Sequence, residues 1–262
     1  MSSAAPAASI IVPTFREAAN IEPLTRRVFA AISEAGLEAE LIIVDDDSQD
    51  GTEDIVNSLA GEYPVRLIIR RGERGLASAV LVGLQEASHD SVVVLDADLQ
   101  HPPEMIPDFV WALEQEDCDF VIGTRYGAGG GIAGDWPFMR RVVSWVATSL
   151  AKPLAPLSDP MSGFFAVGRR TWEGAAPLDP VGFKIALELY VKGRCRRPVE
   201  VPIRFEKRTA GASKLNVRQQ IDYLKHLRRL YRFKLPRLSV AFPLFLLACL
   251  AVATLVTVRS CA

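Results

Sequence analysis

The chain predicts an α/β fold, with a mostly parallel central sheet covered by helices on both faces. Over its first two-thirds, short Val- and Ile-rich runs alternate with amphipathic ones. The apolar runs are near-continuous rather than alternating, as strands buried on both faces must be. The run Val92-Val93-Val94-Leu95 then ends in Asp96-Ala97-Asp98, with Pro102-Pro103 beyond it. Carboxylates at the carboxyl end of a buried strand stand where open α/β sheets keep their ligands.

Residues 9–13, 41–44, 65–69, 92–95 and 120–122 read as strands, bounded by Pro, Asp or Gly. Residues 21–35, 53–59, 76–87 and 103–113 read as helices. Asn20 and Thr52 are expected as N-caps and Gly36 as a C-cap, with Pro23 and Pro103 in first turns. After Gly123 the rhythm changes. Residues 127–134 are too rich in glycine for the interior of an element and read as a loop. Residues 139–150 form a partly apolar helix carrying Trp145. Residues 163–167 and 198–205 read as further strands, with a helix over 183–191 between them.

Length and composition fit one sizeable globular domain plus an appendage: 262 residues with a net charge of -1, which gives no sign of a nucleic-acid partner. Cys118, Cys195, Cys249 and Cys261 show no metal-ligand or redox spacing and suit a reducing compartment. Residues 1–8 lack the basic and apolar regions of a signal peptide. Residues 238–258 carry no charge and are long enough to cross a bilayer, so a C-terminal transmembrane helix is expected, with a buried core helix as the alternative. The preceding segment, 225–237, is basic with leucines at helical spacing. Such residues place the N-terminal part in the cytosol and favour anionic lipid head groups. The expected domain plan is a catalytic domain over 1–215, a basic juxtamembrane segment over 216–237 and a membrane span over 238–258.

Several loops carry residues suited to chemistry. Pro13-Thr14-Phe15-Arg16-Glu17 follows the first strand, where Phe15 suits either the core or a site. Asp45-Asp46-Asp47 follows the second, and turn chemistry explains only one or two of these acids. A metal, or a hydrogen-bonding base and ribose, would relieve their repulsion. Asp96 and Asp98 project the same way from an extended backbone, so both reach one hard cation, Mg²⁺ or Mn²⁺. His101 is expected to be structural, beside Pro102. Arg125, Arg208 and Lys214 sit in loops and suit a phosphate-bearing group.

Together these stretches resemble the family-2 glycosyltransferases of the GT-A fold, and within them those acting on polyprenyl phosphates. The resemblance runs over about residues 9–215. It is carried by Ile11–Glu17, Val44-Asp45-Asp46 through Gly51-Thr52, Asp96–Glu104, Gly123-Thr124-Arg125-Tyr126, Asp159–Phe165, Gly182-Phe183-Lys184-Ile185, and Arg208 through Gly211 with Ser213 and Lys214. It implies that Pro13, Phe15, Glu17, Val44 and Asp46 cradle a nucleotide. Asp96, Ala97, Asp98 and Gln100 would bind Mg²⁺ or Mn²⁺ and the diphosphate, and Arg125, Arg208 and Lys214 would hold phosphates. Asp96, Asp98 and Arg125 would be catalytic, and Arg125, Arg140, Ser162 and Lys214 would meet the acceptor phosphate. Two departures stand out: Phe15 where the family has Tyr, and Asp47 where it has Gly.

The implied reaction is an inverting, metal-dependent transfer of mannose from GDP-mannose to dolichyl (polyprenyl) phosphate. It would run on the cytosolic face of the endoplasmic reticulum membrane in a eukaryote, or of the plasma membrane in a prokaryote, without a requirement for accessory membrane subunits. The acceptor is already an anion near pH 7, so it needs positioning more than a general base. UDP-glucose as donor keeps the same fold and mechanism. A phosphatase would want Asp-x-Asp after the first strand, and a nucleotidyltransferase a Gly-rich basic loop there; Pro13–Glu17 provides neither. A membrane-tethered nucleotide-binding module is the alternative outside enzymes.

Overall fold

A computed structural model describes residues 5–115, 118–126, 128–133, 138–179, 184–206, 217–240, 242–247 and 249, without the side chains of 139, 140, 217 and 218. The predicted α/β sheet is present. Its seven strands are β1 (Ala7–Thr14), β2 (Glu38–Asp45), β3 (Val65–Ile69), β4 (Ser91–Val94), β5 (Phe120–Thr124), β7 (Phe165–Gly168) and β8 (Pro198–Pro202), in the order β3-β2-β1-β4-β7-β5-β8. All neighbours run parallel except β7, which is antiparallel to both β4 and β5. The paired Val, Ile and Leu of β1, β2 and β4 are fully or almost fully buried, which explains their unbroken apolar runs.

Helices α1 (Ala18–Glu34), α2 (Thr52–Leu59), α3 (Leu76–Glu86), α4 (Ile106–Leu113), α5 (Phe138–Ala151), α6 (Arg169–Glu173) and α7 (Ile185–Lys192) cover the sheet. Two apolar cores result. One packs α1, α2 and α4 below the sheet; the other packs α3, α5 and α7 above it, with α8 (Val217–Lys234) outside them. A 3₁₀ turn at Pro103–Met105 opens the segment read from sequence as one helix, and α4 follows it.

Several expectations are corrected. Helix α1 starts at Ala18, so Asn20 and Pro23 lie inside it rather than at its cap and first turn. The cause is tertiary: Asp50, from the next loop, accepts the Ala18 N–H at 3.1 Å, and Asn20 Nδ2 donates instead to Glu17 Oε2. Asp50 also takes the Thr52 N–H and hydroxyl, so Thr52 opens α2 rather than capping it. The segment 198–205 is not one strand. Ile203 donates to the Thr124 carbonyl, and β9 (Arg204–Phe205) leaves the main sheet to pair with β6 (Gly131–Ile132).

The expected transmembrane helix is also corrected. Among the described residues no helix is long and apolar enough to cross a membrane. Helix α9 covers only Pro236–Ser239, and a further helical stretch spans 242–247; residues 250–258 lie outside the described residues. The start of the apolar run is drawn onto the domain. Phe242 is buried with its ring 5.1 Å from that of Tyr231, and Cys249 is buried in the same core.

Candidate active site

The carboxyl ends of β1, β2 and β4 open onto a cleft of about 520 Å³. Of the residues singled out from sequence, Pro13, Phe15, Glu17, Asp46, Asp96, Ala97, Asp98, Gln100, Arg125 and Ser162 line it. Val44 does not: its side chain is fully buried in the sheet core. Arg208 and Lys214 lie outside the described residues, as do Gly127, Gly182 and Phe183, and of Arg140 only the backbone is described.

The three consecutive acids after β2 have separate tasks. Asp45 closes its own turn, accepting the Ser48 N–H at 2.7 Å and the Ser48 hydroxyl at 2.5 Å; Ser48 Oγ in turn accepts the Arg16 N–H. Asp47 takes the left-handed conformation at φ 55°, which Asp tolerates, so the turn keeps the shape that glycine would allow. Asp46 alone faces the cleft. It is buried beside Arg70, whose Nε lies 3.2 Å from Oδ1, and it accepts the Gly75 N–H on Oδ2 at 2.7 Å. Burial pushes the Asp46 carboxyl above its ordinary range, against the downward pull of the Gly75 N–H and Arg70. Among the described residues, Asp46 Oδ1 and Thr14 Oγ1 are buried with no hydrogen-bond partner, Arg70 meeting Oδ1 only as an ion pair. Beside them, Arg74 and Arg16 lie over the Phe15 ring at 4.7 and 5.2 Å from its centroid.

Beyond β4, Asp98 is buried and accepts the Gln100 N–H on Oδ1. Leu99 between them is held at φ 61°, a strained value for a Leu, in the loop that aims both acids. Gln100 donates through Nε2 to the Glu206 carbonyl, while its own carbonyl accepts the Glu206 N–H. A Cβ on Gly163 would stand 3.2 Å from Asp96 Oδ2, a tight contact that would press that carboxylate by a few tenths of an ångström. His101 is structural. It accepts the Asp96 N–H, lies between the Phe164 and Phe205 rings, and burial pushes its pKa down to about 4, so the imidazole is neutral.

The far wall holds features that sequence reasoning underweighted. Arg125 forms a two-pronged pair with fully buried Asp159, Nε to Oδ2 at 2.6 Å and Nη2 to Oδ1 at 2.8 Å. Burial works against the Arg125 charge, but Asp159 more than offsets it and raises the pKa. In the sequence, Lys184 stands out only as part of the stretch Gly182–Ile185. It lines the cleft, donates to the Met161 carbonyl, and burial lowers its pKa to about 8. Arg74, Gly75 and Gln219 line it too. Arg74 and Gln219 belong to segments that carry no motif, so no local signal marks them.

The arrangement offers a buried carboxylate and a hydroxyl for a ring N–H, two carboxylates for a cation, and cationic groups opposite them. The sequence profile of glycosyl transferase family 2 matches residues 9–173. A dolichol-phosphate mannosyltransferase of Saccharomyces cerevisiae is 49% identical over 235 residues, covering 86% of this chain and 87% of the relative. One from Mycosarcoma maydis is 44% identical over 257 residues, covering 95% and 87%. In fold, the chain resembles mannosyl-3-phosphoglycerate synthase from Rubrobacter xylanophilus, with a TM-score of 0.66 at 19% identity over 86% of this chain and 74% of that one. It also resembles a glucosyl-3-phosphoglycerate synthase from Mycobacterium tuberculosis crystallised with Mn²⁺ and UDP, with a TM-score of 0.63 at 22% identity over 87% and 80%. The chain therefore belongs to glycosyl transferase family 2, alongside the dolichol-phosphate mannosyltransferases, with a GT-A-like fold.

Proposed function

We propose that this chain transfers mannose to a dolichyl (polyprenyl) phosphate, with GDP-mannose as donor and Mg²⁺ or Mn²⁺ as cofactor. The identity to dolichol-phosphate mannosyltransferases over most of both chains supports the reaction. The observation that supports the donor side is Thr14 Oγ1, buried at the cleft wall with no hydrogen-bond partner among the described residues, beside Asp46, whose Oδ1 has the Arg70 guanidinium but no hydrogen bond. A polar atom buried without a partner is costly, and a nucleobase N–H would satisfy it. Pro13, Phe15, Glu17 and Asp46 then hold the nucleoside.

The donor set fits a hard cation. Among the described residues no three His, Cys, Asp or Glu side chains converge as a cage. Two carboxylates with an amide oxygen suit Mg²⁺ or Mn²⁺, which take hard oxygen ligands and would leave positions for a diphosphate. Asp96, Asp98 and Gln100 would hold it, and it would stabilise the negative charge of the departing diphosphate. Arg125, fixed by Asp159, and Lys184 add positive charge on the opposite side. Ser162 borders the same wall, and Arg208, Arg140 and Lys214 complete the phosphate-holding set in this reading. The acceptor phosphate attacks the anomeric carbon directly, so the configuration inverts.

The domain plan in this reading is a catalytic unit over 1–215 followed by a basic segment over 216–237. A lipid acceptor requires work at a membrane surface. Exposed Phe138, Trp145, Phe233 and Leu238, with arginines along α8, suit an anionic lipid surface.

Mass spectrometry of purified protein in detergent tests the reading, with a short polyprenyl phosphate and either GDP-mannose or UDP-glucose, each with and without EDTA. The expected product is a metal-dependent, β-configured mannosyl-phosphate lipid. A product from UDP-glucose alone moves the donor. A product with retained configuration sinks the direct displacement, and nucleotide binding without any turnover favours a binding module.

A further inference from the structure

Behind the Arg125–Asp159 pair lies a chain of hydrogen bonds that the nucleotide reading does not use. Ser158, next to Asp159, gives both its N–H, at 2.7 Å, and its hydroxyl to the carboxylate of Glu200 on β8. Ser158 Oγ also lies 2.5 Å from Thr124 Oγ1, and Thr124 Oγ1 accepts the Tyr126 N–H at 3.2 Å. Counting protons fixes the direction. Ser158 has one hydroxyl proton and a carboxylate can only accept, so that proton goes to Glu200. Thr124 must then donate to Ser158, which leaves Thr124 Oγ1 free to accept from Tyr126. The chain runs one way, from the Tyr126 N–H through Thr124 and Ser158 to Glu200.

Its members flank the charge pair on three of its four covalent sides. Thr124 and Tyr126 are the neighbours of Arg125, and Ser158 is the neighbour of Asp159. Thr124 is buried, and Arg125 N–H itself points to Asp159 Oδ2 at 3.3 Å. Only a carboxylate satisfies the pattern. A glutamine at 200 would turn an N–H₂ towards one of the two Ser158 donors and break the order of the whole chain.

We propose that Glu200 is a positioning residue. Through Ser158 and Thr124 it fixes the two backbone segments that carry Asp159 and Arg125, and so sets where the Arg125 guanidinium meets phosphate oxygens in the cleft. This rests on the reading of Arg125 as a phosphate-holding group. A group held about an ångström off its place costs a transfer reaction up to about a hundredfold, so a distant carboxylate has leverage here.

A double-mutant cycle tests it, with kcat/KM for mannosyl transfer measured for the native chain, Glu200→Gln, Arg125→Lys and the double variant, and melting temperatures measured alongside. Lys keeps the charge but loses the fork on Asp159. The expected result is a loss on the order of tenfold for Glu200→Gln in the native background and less than about twofold in the Arg125→Lys background, with every variant shown by its melting temperature to be folded in the assay. Ser158→Ala, which removes only the hydroxyl link, should reproduce the pattern, and it carries the test if Glu200→Gln fails to fold. Equal losses in both backgrounds, or native kcat/KM in Glu200→Gln, overturn the proposal. Native kcat/KM in Arg125→Lys overturns the phosphate-holding reading of Arg125 itself, and the proposal with it.

Discussion

Where β1, β2 and β4 end, the cleft's carboxylates accept backbone N–H groups, Asp46 from Gly75 and Asp98 from Gln100, and Asp46 is also paired with buried Arg70. Around β5 and β8, beyond antiparallel β7 in the sheet, charges are held by other charges or by hydroxyls: Arg125 by Asp159, Glu200 by Ser158. The first wall keeps negative charge available to incoming groups, as a cation and a base require. The second spends its negative charge internally and presents cations. In the proposed reading the difference suits one cleft to a cation and a base at the first wall and to phosphates at the second, each wall's charge being held by different partners.

Substitutions should separate the walls. Asp98→Ala removes a carboxylate from the cation site and, from the loop, the acceptor of the Gln100 N–H. Transfer should fall by at least about 10³-fold, as should addition of EDTA, while the melting temperature drops by roughly 2–4 °C. Residual turnover near native in the mass-spectrometric assay would break the contrast. On the other wall, Asp159→Ala strands a buried Arg125. It should cost about 3–5 kcal/mol of stability in chemical denaturation as well as activity.

Outside the cleft, α7 and α8 share a buried carboxylate, Glu188. Burial alone would raise its pKa. His226, whose Nε2 lies 3.3 Å away, the Asp179 N–H and the Lys192 ammonium bring it below the usual range. The stability it contributes is therefore complete above its unfolded value, about 4.3, and is lost as pH falls through the depressed folded value. Glu188→Gln should lower the melting temperature at pH 7, and the gap to the native chain should close as pH drops below about 4. A gap that widens in acid would refute this sign. The smallest effect belongs to Asp47→Gly. Its φ of 55° suits glycine, and relief of strain offsets the added chain entropy, so stability should change by less than about 1 kcal/mol with transfer intact.

The wall at β1, β2 and β4 was legible because its residues sit next to their strands. Pro13, Asp46, Asp96 and Asp98 each follow an apolar run directly, so strand geometry alone aims them at the edge. Val44, which only the resemblance puts with the nucleotide, stands two residues before Asp46, where the strand is still inside the core. The opposite wall was less legible. Asp159 stands 34 residues from Arg125, Glu200 another 41 further on, and nothing local marks either as a partner. The C-terminal run was misread because length and apolarity describe what a segment could span, whereas Phe242 and Cys249 find partners on the domain itself.

Sequence alone determined the α/β class, the order of most elements and the acids at the sheet's carboxyl edge, because periodicity and turn chemistry act over a few residues. The reversal of β7, the caps supplied by Asp50, the burial of Lys184 and the pairing of Arg125 with Asp159 were decided by tertiary structure. Each depends on groups far apart in the chain meeting where water is excluded, and there an unpartnered charge or donor costs more than any local preference supplies.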